Sequence, residues 1–427
     1  MRDFFKVFGV FLFVCLAAPA FCAQDPLYLE LSAHGDKIDL GLAEFASSRS
    51  VAEESKLAGE IREIVRNDLL FSRAFQVLEG GPASVGRKSA FPGWRTLGAD
   101  ALVTGYVNTA WFGRWQFEGL LEDVGTGEKI LEKKYVVEFG QERKVAHEWA
   151  DEVIRYFSGQ AGIAHSQVVF VNDATGKKEV CVVDYDGHGF RRITDDRSIA
   201  LLPKFSPDGR WIAYTAYREG TPVLYLLSPD GRQKKTLCRY EGLNSAAAWL
   251  PDGKSLVATL SMGRDPNLYW VDLEGRVLRV LTQAGAIDTA PTLSADGLRL
   301  AFTSDRPGKP QIYTMDMNGS NLKRLSQSGL CDSPAWSPQG PLVAFACSEG
   351  GGNFDIYTVD TGSQDRRRLT WGEGDSENPG WSPDGRFLVF TSTRRGKAEL
   401  WIMGEDGSNP HPLGDLPGQS YSPHWGP

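Results

Sequence analysis

The sequence predicts a small α/β domain with a mixed sheet, followed by an all-β six-bladed β-propeller that is closed by pairing of its N- and C-terminal strands. The main observation is a seven-residue motif that recurs through the second half of the chain, with residues 379–385 (PGWSPDG) as its clearest copy. Successive copies begin 43 to 45 residues apart, and four strand-like segments surround each one. Four antiparallel strands per unit of this length are typical of propeller blades.

Composition sets limits on the class of protein. The chain has 427 residues, which is long enough for a small domain and a large array, and its 47 glycines suit many tight turns. The net charge is −8, and no long block of lysine or arginine occurs. Nucleic acid is therefore not expected as a partner.

The first twenty residues have the pattern of a cleaved signal peptide. Arg2 and Lys6 give a positive start, an apolar run covers residues 7–18, and residues 18–20 (APA) fit a cleavage site. This run is too short to cross a bilayer as a mature helix. We expect residues 1–20 to be removed and the rest of the chain to be exported.

An oxidising compartment makes a disulfide feasible. Cys331 and Cys347 flank one strand–turn–strand segment and lie at opposed positions of the hairpin, so we expect them to bond. Two free buried cysteines are the alternative. Since no CxxC or Cys/His spacing occurs, the sequence predicts neither a metal site nor a cofactor.

Residues 24–160 are predicted to form the first domain. The predicted segments are strand 37–45, helix 51–70, strand 75–78, strand 99–107, a hairpin of strands 111–124 and 129–139, and a helix over Val145, Trp149, Val153 and Phe157. We interpret His147 as a surface residue of the last helix. No catalytic pattern emerges in this domain.

Residues 165–427 are predicted to form the propeller. The third strand of each unit is marked by an apolar residue at intervals of 44, namely Val180, Leu224, Leu268, Ile312, Ile356 and Leu400. The fourth strand is marked in the same way by Ile193, Leu237, Leu281, Leu325, Leu369 and Leu413. The first unit begins at its second strand, residues 167–172, and residues 422–425 supply the missing inner strand. Together they complete a sixth blade and leave no open sheet edge.

The inner strands surround the central channel, and their side chains alternate. The bulky set is expected to pack between blades and consists of Phe205, Trp249, Leu293, Trp336, Trp381 and Trp425. The alternate set is expected to line the channel and consists of Lys204, Ala248, Thr292, Ala335, Gly380 and His424. Most of that second set is small, which predicts a channel open to water or an extended peptide end.

The two faces of the ring differ. The Ser-Pro-Asp-Gly turns and the Asp/Asn-Gly turns fall on one face, here named the turn face. The loops between blades and those joining second to third strands fall on the other, here named the loop face. Asp208, Asp252, Asp296 and Asp384 occur once per blade on the turn face, so they are predicted to cap their own turns. Binding residues are expected in the variable loops of the loop face.

The chain resembles the TolB family. In the first domain the resemblance rests on residues 94–105 (WRTLGADALVTG), 121–127 (LEDVGTG) and 146–152 (AHEWADE). In the array it rests on the motif repeats and on residues 301–305 (AFTSD). Residues 157–164 depart from the family's usual linker, which carries Leu-Thr-Gly and Phe.

The resemblance implies a non-enzymatic binding protein of the periplasm, within the Tol–Pal system. Such a protein would dock the lipoprotein Pal on the loop face, contact TolA through its N-terminal tail, here residues 21–36, and maintain the outer membrane during cell division. Other outer-membrane or peptidoglycan-associated proteins are further candidate partners, and a monomer is expected outside the complex. The predicted partner-binding residues are Asn244, Asp288, Thr289, Asp332, Ser376, Glu377, Asn378, Arg218, Arg264 and Arg306.

Two other functions are compatible with a propeller of this type. Propellers of this repeat type accompany hydrolase domains, but the chain contains no Gly-x-Ser-x-Gly. The second alternative is a binder of a small ligand or cation in the channel, with His424 and Thr292 as candidate ligands.

Overall fold

The computed structural model describes residues 37–47, 52–83, 90–109, 114–138, 140–262, 265–283 and 285–427. The predicted signal peptide, the predicted tail of residues 21–36 and Arg264 lie outside the described residues. The described part of the chain falls within one unit, Lys37–Pro427.

The first domain is a mixed sheet with helices. Its elements are β1 (Ile38–Leu42), β2 (Ala46–Ser47), α1 (Ala52–Phe71), β3 (Phe75–Leu78), α2 (Phe91–Thr96), β4 (Ala101–Thr109), β5 (Trp115–Asp123), β6 (Lys129–Val137) and α3 (Glu142–Ser158). The strand order is β3-β1-β4-β5-β6, with β2 also paired to β4. β1 is parallel to β3 and β4, whereas β4, β5 and β6 are antiparallel.

The helices pack on this sheet through apolar stripes. On α1, Leu57, Ile61 and Val65 recur at helical spacing and are buried in one core with Trp149 of α3. Gly119 of β5 allows the Trp149 ring to approach, because a Cβ there would lie 2.5 Å from ring atoms. The sequence did not predict α2, whose Gly93 and Trp94 are weak helix formers.

The propeller consists of six four-stranded antiparallel sheets, so the predicted fold class is confirmed. From inner to outer strand, the first two blades contain β10 (Ala200–Phe205), β11 (Ile212–Ala216), β12 (Val223–Leu227) and β13 (Lys234–Cys238), and then β14 (Asn244–Trp249), β15 (Ser255–Leu260), β16 (Asn267–Asp272) and β17 (Val277–Val280). In the same order, the next three contain β18 (Asp288–Leu293), β19 (Arg299–Ser304), β20 (Gln311–Asp316) and β21 (Lys323–Arg324); β22 (Leu330–Trp336), β23 (Leu342–Ser348), β24 (Asp355–Asp360) and β25 (Arg366–Arg368); and β26 (Ser376–Trp381), β27 (Phe387–Ser392), β28 (Glu399–Gly404) and β29 (His411–Pro412).

The sixth sheet joins the two ends of the propeller. It contains β30 (Ser420–Gly426), β7 (Gln167–Asn172), β8 (Glu179–Asp184) and β9 (Arg191–Arg192) in that order. The pairing of β30 with β7 is antiparallel. This sheet closes the ring, as the sequence predicts.

Large inner-strand side chains hold the blades together. Trp381 belongs to a core cluster that also contains Ala344 and Ile356 of the preceding blade. Its Nε1 donates a hydrogen bond to the Ala335 carbonyl of that blade at 2.9 Å. Trp249 donates in the same way to the Lys204 carbonyl at 3.2 Å. Packing between blades is therefore confirmed for these tryptophans.

Five of the six outermost strands end one residue before their marker, and the sixth, β13, includes its marker Leu237. Leu325, for example, follows the two-residue strand β21 and is buried, and its N–H donates to the Ile312 carbonyl. The backbone hydrogen bond of such a marker residue anchors the end of the outer strand to the third strand.

Each inner strand contains a bulge just before the motif. The ladder register shifts in all six, for example between Leu201 and Lys204. Each bulge holds one non-glycine residue at positive φ, between 42° and 56°, and these are Leu202, Ala246, Ala290, Ser333, Asn378 and Ser422. Six such residues at one equivalent position form a strained ring around the loop-face end of the channel.

The first domain packs against the turn face. Arg386, in the turn after β26, donates to the Ser72 carbonyl at 3.2 Å. Arg73 donates to Ser408 Oγ at 2.7 Å, and Phe71 packs on Phe387. Because these propeller residues lie on or beside turns, the described part of the first domain covers part of the turn face.

Candidate functional site

A central cavity lies within the ring of inner strands. It measures about 380 Å³ and is bordered by the six residues Lys204, Ala248, Thr292, Ala335, Gly380 and His424, together with parts of the motif residues. A smaller cavity of about 50 Å³ lies toward the loop face and is bordered by the six strained bulge residues. Lys204 borders both, so its side chain stands between the wide and narrow parts of the channel.

Lys204 has an unusual electrostatic environment. None of the described residues bordering either cavity is Asp or Glu. Within the described part of the chain, its amine has no hydrogen bond or ion pair. Burial alone lowers the pKa of Lys204 to about 8, because no carboxylate stabilises the charged form. The residue keeps some exposed surface because the channel is open, but its amine is largely desolvated.

Two further polar groups face the same cavity. His424 Nδ1 accepts the Phe205 N–H at 3.2 Å, so the neutral imidazole carries its proton on Nε2. Burial and the Lys204 charge hold the pKa of His424 well below its usual range. Thr292 Oγ1 accepts the Trp336 N–H at 3.1 Å, which leaves its hydroxyl proton available to donate.

Gly380 permits close packing of neighbouring inner strands. A Cβ at this position would lie 3.3 Å from the Pro423 carbonyl oxygen of β30. Its missing side chain therefore serves the approach of β26 to β30 as well as the width of the channel.

On the loop face, one patch of predicted residues can reach a partner. Asp332 is exposed, and Thr289, Glu377 and Asn378 are half-buried. Burial, followed by the charges of Asp375 and Asp332, raises the pKa of Glu377. Asp332, Asp375 and Glu377 are here named the loop-face acidic patch. The repulsion among these three carboxylates would be relieved by a cationic group of a partner.

Other predicted loop-face residues are buried and stabilise the loops through contacts within the protein. Asn244 is buried, and its amide group bonds the backbone of Pro222, Tyr240 and Gly242. Asp288 is buried and pairs with Arg306 at 2.7 Å. Ser376 is also buried. These side chains are structural anchors, whose polar atoms are directed into the protein.

The described arginines of the loop face, Arg218, Arg306 and Arg394, are largely paired. Arg218 lies 3.4 Å from Asp196, and Arg306 stacks on Phe302 and Tyr313 while it pairs with Asp288. Arg394 lies against Trp401 and 3.4 Å from Glu373. These arginines therefore give the loop face less uncompensated positive charge than the sequence suggests.

The domain interface contains a buried polar network that the sequence did not predict. His147 Nδ1 bonds Asp68 Oδ2 at 2.8 Å, and the Tyr185 hydroxyl of the propeller donates to Asp68 Oδ1. Burial raises the pKa of Asp68, and hydrogen bonds from His147 and Tyr185 oppose that shift. The interpretation of His147 as a surface residue is wrong, because the propeller covers this side of α3.

The described cysteines form one disulfide and two free thiols. Cys331 and Cys347 are paired across β22 and β23 and are joined by a disulfide, while Cys181 and Cys238 are free and buried. In the described ranges, no three His, Cys, Asp or Glu residues are grouped as metal ligands. Among the described helices, none has the length and apolar character needed to cross a membrane.

Comparison with known proteins places the chain in a family. The model of the TolB amino-terminal domain matches residues 32–130, and that of the TolB beta propeller domain matches residues 155–427. The Tol-Pal system protein TolB of Desulfosudis oleivorans is 35% identical over 248 residues, 56% of each chain. Its counterpart in Geobacter sulfurreducens is 36% identical over 207 residues, 47% of each chain. The matched stretch thus spans about half the length of these curated relatives.

A solved structure extends the likeness to both domains. The crystal structure of TolB from Acinetobacter baumannii has a TM-score of 0.79 and 26% sequence identity, and the match covers 92% of this chain and 97% of that one. The propeller model alone matches more than half of the sequence. The chain belongs to the TolB family.

Proposed function

We propose that the protein is a non-enzymatic, periplasmic scaffold of the Tol–Pal system that docks the lipoprotein Pal on its loop face. Membership in the TolB family supports the system, since the curated relatives are named as Tol-Pal system proteins. The carrying observation is that the first domain packs against the turn face, while the loop face presents the acidic patch to solvent.

The loop-face acidic patch suggests what Pal must supply. Glu377 has a raised pKa because burial and neighbouring acids disfavour its charge. A lysine or arginine of Pal placed here would stabilise the charged form and gain a partly desolvated ion pair. Thr289 and Asn378 provide uncharged polar contacts beside the patch.

This proposal predicts the effect of reversing charge in the patch. The double substitution Asp332→Lys and Glu377→Lys should weaken binding of the soluble domain of Pal by about tenfold or more, since it replaces attraction by repulsion. Isothermal titration calorimetry of the purified chain with that domain would measure the affinity. Glu274→Lys is the matched control, because Glu274 is an exposed acid on the turn face.

Equal affinity for the acidic-patch variant, the control and the unsubstituted chain would exclude the patch as the docking site. Absence of any binding between the unsubstituted chain and Pal would overturn the proposed function as a whole. Hydrolysis of a peptide or glycoside by the purified chain would contradict a scaffold without enzymatic activity.

The N-terminal tail is proposed to link the scaffold to TolA. After removal of residues 1–20 on export, residues 21–36 would form the mature N-terminal segment. Deletion of residues 23–36 behind an intact signal peptide should abolish capture of TolA and preserve capture of Pal. Loss of both interactions, or of neither, would contradict this division of roles. The mass of the periplasmic form would test the cleavage site.

A further inference from the structure

The channel contains a cation without a matching anion. Lys204 lies between the wide and narrow cavities, and within the described ranges no Asp or Glu borders either of them. The chain as a whole carries a net charge of −8, so carboxylates are plentiful elsewhere. Keeping an ammonium group in a desolvated place without a partner costs free energy. A ligand that brings a negative charge would recover that cost.

The channel also offers two neutral donors, one beside Lys204 on the adjacent strand β30 and one across the channel on β18. The Nε2–H of His424 is available because Nδ1 accepts the Phe205 N–H, and the Thr292 hydroxyl proton is available because its oxygen accepts the Trp336 N–H. Both residues border the wide cavity that contains Lys204. One cation and two donors suit an oxyanion, whereas they disfavour a metal cation.

The walls of the wide cavity are largely apolar. The residues that border it include Trp249, Trp336, Trp381 and Trp425, together with several prolines of the motif. Its volume of about 380 Å³ lies in the range of small-molecule sites. The ligand therefore needs an apolar body as well as a negative group, which excludes a bare inorganic ion as the best fit.

We propose that the channel binds a small organic monocarboxylate with an apolar body, with Lys204 and His424 of adjacent inner strands holding the carboxylate, Thr292 offering a further donor across the channel and the apolar wall holding the body. A peptide C-terminus that ends in an apolar residue and an alkyl carboxylic acid share this chemistry. The inference concerns the channel alone and does not depend on docking of Pal at the loop face.

The pH dependence of ligand binding follows from the charge on Lys204. Lys204 must be protonated to bind, and burial lowers its pKa to about 8. His424 is the titratable group that faces it among the cavity-lining residues, and its own pKa is lowered, so it stays neutral at pH 7. Affinity should be constant near pH 7 and should fall toward tenfold per pH unit above pH 8.

Calorimetry with a matched pair of ligands tests the proposal. The full chain, in a low-salt buffer without carboxylates, is titrated with N-acetylleucine and with N-acetylleucinamide, which lacks the charge. N-acetylleucine should bind at least tenfold more tightly than the amide. Lys204→Met should remove that difference, whereas Lys254→Met, at an exposed position of the next blade, should retain it. Lys204→Gln is a second variant that keeps a polar group.

The outcomes separate clearly. Tighter binding of hexanoate than of N-acetylleucine would support an alkyl acid as the source, and the reverse order would support a peptide C-terminus. Equal binding of acid and amide, an unchanged preference in both Lys204 variants, or no binding of either acid at 10 mM (about the weakest affinity of interest) would overturn the proposal. Raised thermal stability of Lys204→Met without ligand would show that the variant folds.

Discussion

Lys204 places an ammonium group in a channel whose described lining offers it no carboxylate. Its pKa is lowered from 10.5 to about 8, so the folded chain binds the proton less tightly than the unfolded chain does. Between these two values the unfolded state carries more protons, and stability rises with pH. Below pH 8 both states are protonated, and the full cost of the buried charge is present.

Lys204→Met should therefore stabilise the protein in a way that depends on pH. At pH 7 we expect a gain of about 2 kcal/mol, after a discount for the surface that Lys204 keeps exposed. The gain should shrink between pH 8 and pH 10.5 as the native lysine becomes neutral. Urea unfolding of both proteins across this range measures it. A gain that is independent of pH would point to packing instead of charge.

The residue scale also shows what a single sequence can miss. The spacing of the channel-lining residues follows from strand alternation, and His424 and Lys204 could be assigned to one cavity from numbering alone. By contrast, the burial of His147 depends on the propeller packing against α3, and nothing in the helix's own pattern records that contact. Asn244 likewise lies in a variable loop of the loop face, where binding residues are expected. Its amide group instead hydrogen-bonds the Tyr240 backbone within the same loop.

At the scale of elements, the motif turn is a hydrogen-bonded unit. Asp384 accepts the Ser382 hydroxyl at 2.6 Å, the Arg386 N–H at 3.2 Å and the Arg386 Nε–H at 2.7 Å. Asp208 and Asp296 make the corresponding contacts with Ser206 and Ser294. The prediction that these aspartates cap their own turns is confirmed.

The strength of each cap should depend on its burial. Asp384→Ala removes three bonds from a buried carboxylate and should cost about 2 kcal/mol of unfolding free energy. Asp252→Ala is the matched substitution, since Asp252 is exposed and accepts only the Lys254 N–H among the described groups. It should cost about 0.5 kcal/mol. Chemical denaturation compares them, and equal losses would contradict a role for burial.

Elements with strong periodicity could be predicted from the sequence, and short or context-dependent ones could not. α1 and α3 carry apolar residues at helical spacing, and each second strand of a blade is an almost fully buried, mostly apolar run. β2 and β21 have two residues each, so their local pattern is too short to be informative. The bulges were also missed, because positive φ at Leu202 or Ala290 has no side-chain signature.

For the whole molecule, the buried network of Asp68, His147 and Tyr185 ties the first domain to the propeller. Arg143 and Asp186 add an ion pair at 2.5 Å across the same junction. These contacts join α1, α3 and the turn after β8. They determine which part of the turn face the first domain covers.

Tyr185→Phe should weaken this junction. The substitution removes one donor from the buried Asp68 carboxyl group, and we expect a loss of about 2 kcal/mol in unfolding free energy. Limited proteolysis of the segment between α3 and β7 should also become faster. Tyr135→Phe is the control, because no described group bonds its hydroxyl and it should change stability by less than about 0.5 kcal/mol. Similar losses in both variants would argue against the network.

Closure of the ring has a kinetic consequence. The Asn172 side chain of β7 bonds Ser420 of β30 across a sequence separation of 248 residues, so this pairing requires a very long loop to close. The junction should therefore form late in folding, after the other five blades have their local hairpins. His424 belongs to β30 and Lys204 to β10, so a molecule held between them would bridge the closing strand to its neighbour. A ligand bound in the channel would then hold these two strands together and slow the opening of the ring.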